Sequence, residues 1–195
     1  MRSTKNAWHR SFCSLVLLVA LAVPALAADP TALELIKLGN DYVSKESRDK
    51  VVQIRSEKSI GSLTPAIWYV VYYDEDATFK ASEVKFGAGK KMKVTRPMHV
   101  LERATGNDKT LDQTKIKIDS DKAITTATAE PLLKPLTLRA TQVWLERSDA
   151  GPVWKVRLWA AKIKNPTDDA DVGTVYISAE DGKVTRSDLH INRVD

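Results

Sequence analysis

At 195 residues the chain is long enough for one medium domain or two small ones. Its single cysteine, Cys13, excludes an internal disulfide and leaves stability to burial. Of the 30 basic residues three lie in an amino-terminal segment read below as removed, leaving 27 against 25 acidic ones, a near balance that makes nucleic acid a poor partner.

In chain order, the first element is a leader. Arg2, Lys5 and Arg10 form a positive start, with no acidic residue before Asp29. An apolar run from Leu15 to Val23 follows and Pro24 ends it; Ala25-Leu26-Ala27 then supplies the small residues a signal peptidase needs. Cleavage is expected before Ala28, giving a signal peptide over residues 1–27. The run is shorter than the roughly 20 residues of a spanning helix, so no stable membrane insertion is expected after cleavage. The expected location is exported, periplasmic or extracellular.

Asp29 and Pro30 predict a helix start, with Ala32, Leu35, Ile36, Gly39 and Val43 at helical spacing. Alternation and β-branched content predict strands over 51–56, 66–73, 82–86 and 92–101. The polar stretch 104–114 reads as a boundary. A second, weaker helix is expected with Ser120 as its cap, running through Ala123, Ile124 and Ala127 until Pro131 stops it, with Thr125, Thr126 and Thr128 lowering its propensity. Strands over 136–147, 153–161, 173–179 and 183–192 complete the chain.

These two sets repeat one another. Trp68-Tyr69-Val70-Val71-Tyr72 aligns with Trp154-Lys155-Val156-Arg157-Leu158, and Lys93-Val94-Thr95-Arg96 recurs as Lys183-Val184-Thr185-Arg186. The reading is a duplication: repeat 1 over residues 28–105 and repeat 2 over 106–195.

The second copy resembles a PepSY domain. The resemblance rests on Ser120-Asp121-Lys122-Ala123-Ile124 opening a helix, Pro152-Val153-Trp154-Lys155-Val156, and Val175-Tyr176-Ile177-Ser178-Ala179-Glu180-Asp181-Gly182-Lys183-Val184. It covers about 75 residues; in the first copy Gly87-Ala88-Gly89 stands where the acidic turn would be. The resemblance implies an α+β fold of two cystatin-like repeats, each a helix packed on an antiparallel β-sheet. It also implies a bacterial, non-catalytic binding or inhibitory module, with a secreted or periplasmic peptidase as the expected partner. The alternative is an envelope scaffolding protein holding an anionic polymer or membrane surface.

For a protein-binding face, alternation singles out Tyr69, Tyr73, Arg157 and Trp159, opposite the core positions Trp68, Val70, Tyr72, Trp154, Val156 and Leu158. Tyrosine, tryptophan and arginine dominate binding hot spots. The competing expectation is that two sheets cover each other and bury these side chains. His99 and His190 occupy equivalent repeat positions, but neither has a second ligand at metal spacing. Asp168, Asp169 and Asp171 read as a solvated loop rather than a calcium loop, since Gly173 falls one position early for an EF-hand ending at Glu180. Lys85, Lys90, Lys91, Lys93 and Arg96 form a basic run, suited to protecting a strand edge or to meeting an anionic surface. No nucleophile elbow, zinc-helix motif, phosphate loop or catalytic cysteine is present, so no enzyme, metal or cofactor is expected.

Overall fold

The computed structural model describes residues 29–96 and 110–195. The expected leader, His99 and the boundary at 105/106 lie outside them.

Thr31, in extended conformation, caps α1 (Ala32–Gly39), two residues after the expected Asp29 cap. The Thr31 N–H donates to the Glu34 carboxylate at 2.9 Å, closing the first turn. Ala32, Leu35, Ile36 and Gly39 are buried, which is the apolar stripe of the sequence, and a 3-10 turn (Asn40–Tyr42) extends the helix. Strands β1 (Val51–Ser56), β2 (Ile67–Tyr73), β3 (Ala81–Gly87) and β4 (Lys90–Thr95) follow as an antiparallel meander. Then come the short α2 (Ser120–Thr128) and strands β5 (Leu138–Ser148), β6 (Gly151–Ala161), β7 (Asp169–Ser178) and β8 (Val184–Leu189). Within α2, the Thr125 and Thr128 hydroxyls donate to the Asp121 and Ile124 carbonyls one turn back. Such back-bonding does not itself favour a helix, and the segment is held by burial of Ala123, Ile124 and Ala127.

Two separate helix-on-sheet repeats were the expectation, and the structure overturns it. All eight strands form one antiparallel sheet in the order β4-β3-β2-β1-β5-β6-β7-β8. The physical reason is the seam. In an isolated repeat the first strand would leave a row of backbone donors and acceptors unpaired. Here β1 and β5 satisfy each other, with Gln53 opposite Glu146, Ile54 opposite Leu145 and Arg55 opposite Trp144. Helical content is correspondingly small. The aligned tryptophans sit on β2 and β6, each one strand out from the seam.

Both helices lie on the same face and share one core. Ala32, Leu35 and Ile36 of α1 and Ala123, Ile124 and Ala127 of α2 belong to one cluster with Trp68, Val70, Tyr72, Trp154, Val156 and Leu158. Trp154 is 0% exposed and Trp68 4%. Side chains of this size each contribute about 1.5–3 kcal/mol on full burial. Their indole N–H groups donate to the carbonyls of Ile118 and Pro65 respectively, so neither ring buries an unpaired donor. The two helices also meet at their amino-terminal ends. The Asp119 carboxylate accepts from the N–H groups of both Ser120 and Leu33, and the Ser120 hydroxyl accepts from the Ala32 N–H. One carboxylate thus answers the exposed donors, and the positive dipole ends, of two helices.

Candidate functional site

With both helices on one side, the residues between the core positions fall on the other. Both α-helices pack on the first face, and a small cluster of Val52, Val71 and Ala81 with Tyr73 against it is the described apolar core of the second. The competing expectation, two sheets covering each other, fails because β2 and β6 are strands of one sheet.

The registers place one residue of every strand in a single row across this face. Lys93 stands opposite Lys85, Lys85 opposite Tyr69, and Tyr69 opposite Arg55. Across the seam Arg55 stands opposite Trp144, which is followed by Lys155, Tyr176 and Arg186. At 4.7–4.9 Å per strand the row is about 34 Å long. From Lys85 onward cation and ring alternate without a break.

Neighbours in the row stack. Arg55 and Lys85 lie 4.2 and 4.9 Å from the centre of the Tyr69 ring. Lys155 and Arg186 lie 5.6 and 5.1 Å from that of Tyr176. Above the row, Lys58 and Arg157 lie 4.9 and 5.2 Å from the Trp159 ring. Each of these rings therefore carries two of the chain's own cations, a favourable quadrupole contact. What is left for a partner is the alternation of charged heads and ring edges.

Carboxylates from adjacent rows complete the network. Glu83 pairs with Arg55, Glu146 with Lys155, and Glu57 with Lys85 at 2.9 Å while also accepting from the Tyr69 hydroxyl. Asp171 accepts from Arg157 Nε at 2.9 Å and Asp188 from Arg186 Nε at 2.9 Å. Tyr69 and then Lys85 hold the Glu57 carboxyl below its usual value, and Tyr69 and Glu57 push the Lys85 ammonium up. At Asp171 burial pushes upward, but Arg157, the Gly173 N–H and Arg193 together leave its carboxyl below the ordinary range.

Where the row crosses β5 to β7 the face is hollowed into a groove of about 470 Å³, lined among others by Trp144, Lys155, Arg157, Asp171, Tyr176 and His190. Gly173 shapes its floor. Its φ is +115°, and a Cβ there would lie 2.0 Å from the Asp188 carbonyl oxygen, so only glycine lets β8 approach this closely. β7 begins at Asp169, four residues before the expected strand start, so Asp169 and Asp171 belong to a strand rather than a loop.

Of the four residues singled out from sequence, three share the upper half of this face: Tyr69, Arg157 and Trp159. Arg157 is exposed; Tyr69 and Trp159 are half-buried. Tyr73 also points to this face, but at the opposite end of β2, packed against Val52, Val71 and Ala81 beneath Lys50. The structure does not bring all four together. It adds Arg55, Trp144, Tyr176 and Arg186, which the sequence reading did not assign to a binding face, and Lys85, which it placed only in the basic run. Alternation alone places Trp144 between the core residues Val143 and Leu145, a signal that was available; the partnership across the seam was not.

His190 is exposed at the end of β8. Among the described residues no three His, Cys, Asp or Glu side chains converge as a metal site would require. Asp169 is held by Lys58 at 3.0 Å, and Arg96 of the basic run by Asp74 at 3.1 Å, while Lys90, Lys91 and Lys93 are exposed along the edge strand β4. No described helix is long and apolar enough to cross a membrane. Compared with known proteins, the chain matches no family model, no curated protein and no solved structure.

Proposed function

We propose that this protein is an exported, non-catalytic binding module that recognises a protein partner on the sheet face opposite its helices. The observation that supports the reading is the cation–ring row. It offers alternating charge and aromatic edge over the width of a standard protein interface, with charges of both signs fixed in register. Because stacking and ion pairing already restrain these long side chains, docking on them costs less conformational entropy than docking on free lysines and arginines. A secreted peptidase is the partner this reading favours, and that step rests on the PepSY resemblance of residues 120–184.

The test uses the peptidase fraction secreted by the producing organism. Wild-type protein should retain or inhibit a peptidase there, and Tyr69→Ala with Trp159→Ala should weaken the effect about tenfold or more, as hot-spot truncations do. Thermal unfolding of the double variant should stay close to wild type. Undiminished retention by that variant would end the face's role, and retention of no peptidase would end the choice of partner. The second reading, an anionic polymer bound along β4, is favoured by the exposed Lys90, Lys91 and Lys93. Triple substitution of these by glutamine separates the two.

A further inference from the structure

One end of the sheet carries a different surface, independent of the row. There the β1–β2 loop, the β6–β7 loop and the start of β5 are tied together. The Ser59 N–H donates to the Thr141 carbonyl, the Thr141 hydroxyl to the Leu63 carbonyl, Arg139 to the Pro166 carbonyl, and Lys58 pairs with Asp169. The tip of the first loop is braced from within: the Ser59 hydroxyl donates to the Ser62 carbonyl and the Ser62 hydroxyl to the Thr64 carbonyl. These braced loops nevertheless present apolar side chains to water. Ile60 is 95% exposed and Ile163 66%.

A single exposed isoleucine needs no explanation. Two on loops tied to one another, one of them between two lysines, form a pattern. Ile163 is flanked by Lys162 and Lys164, and among the described residues neither lysine forms an ion pair. The β3–β4 turn reaches the same end, Ala88 N–H donating to the Ala66 carbonyl, and brings the exposed Lys90 with it. The acidic residues nearby are Asp168 in the β6–β7 connection, Asp169 at the start of β7, already held by Lys58, and Asp195, next to the Val194 carbonyl that accepts from the Ile163 N–H. Apolar tips that can enter the acyl boundary, set among cations that can reach headgroups, are what a peripheral protein presents to an anionic bilayer.

We infer that this end of the sheet docks on an anionic lipid surface, with Ile60 and Ile163 entering the headgroup boundary and Lys162 and Lys164 contacting the headgroups. Every described element begins at Ala32 or later, so protein starting at Ala28 retains the whole described fold without the apolar leader, and it is the form to use. The measurement is co-sedimentation with vesicles of equal parts phosphatidylglycerol and phosphatidylcholine, against phosphatidylcholine alone, at low and high salt. Wild type should prefer the anionic vesicles. Ile60→Ser with Ile163→Ser should weaken that binding about tenfold or more, given two apolar side chains withheld from the boundary. Lys162→Gln with Lys164→Gln should flatten its salt dependence. Ile60, Ile163 and Lys164 are exposed and Lys162 is half-buried, and both variants should melt like wild type. Equal partition onto both vesicle types, or anionic binding that neither variant weakens, would overturn the inference. So would a result in which the isoleucine variant loses a protein partner but no lipid binding.

Discussion

Tyr72 shows how one residue joins the sheet to a helix. Its ring is fully buried on β2 and its hydroxyl donates to the Ile36 carbonyl of α1 at 2.8 Å. Gly39 makes the approach possible, since a Cβ there would lie 2.1 Å from the phenolic oxygen. The glycine was legible as a member of the helical stripe, but its purpose was not, because the side chain that needs the space lies on a strand. Burial, with Asp49 and Asp41 nearby, pushes the phenol up from its ordinary 10.0. Below that value the phenol is protonated in folded and unfolded chains alike. Above it the unfolded chain releases its proton first, so stability falls as pH rises. Tyr72→Phe should therefore cost about 1 kcal/mol at neutral pH, the worth of one hydrogen bond, and should lose stability less steeply above pH 10 than wild type. Denaturant titrations of both proteins across that range make the comparison. Parallel curves would show that the Tyr72 phenol is not the group responsible.

Among the elements, the junction of α1 and α2 depends on a residue that sequence reasoning passed by. Ser120 was the expected cap of the second helix; it is instead the first helical residue, and Asp119 before it is the cap. The pattern of polar residues ahead of Ala123 and Ile124 marked the helix start to within one residue. It could not show that the same carboxylate serves Leu33, 86 positions away. Asp119→Ala should cost about 2 kcal/mol, a lost cap plus a second partly buried N–H left unpaired. Asp119→Asn, which keeps an acceptor, should cost less than half of that. A loss below about 0.5 kcal/mol for the alanine variant, measured by urea unfolding, would show that water replaces the carboxylate. Strand phases were the most legible feature. Alternation put Trp68, Val70, Tyr72, Trp154, Val156 and Leu158 on one buried face, and all six are buried there. The same alternation assigned Tyr69, Arg157 and Trp159 to the other face. It carried no information on which strands are neighbours, and a row that crosses the seam exists only through that neighbourhood.

The arrangement of the whole sheet follows from a choice that local pattern does not encode. Two four-stranded meanders can each bury one face under a helix, or they can join edge to edge; both satisfy the same alternation. Joining removes two open edges and lets the helices share a core, which is why one continuous sheet replaces the two expected. The palindromic strand order also bears on how the chain reaches this state. Six of the seven strand pairings join strands adjacent in sequence, and among the strand pairings only the seam brings residues as distant as Ile54 and Leu145 together. Closing that long loop is the costly step, so the local meanders should assemble first and the seam late. Ile54→Ala removes a fully buried side chain at the seam and should cost about 2–5 kcal/mol, most of it as faster unfolding. Trp154→Ala, inside the second meander, should instead slow folding. Stopped-flow chevrons of the two variants test the order, and a seam variant that mainly slows folding would reverse it. With the seam last to close, it is also first to part: under load the molecule should yield between β1 and β5, as two halves that each keep their own hairpins.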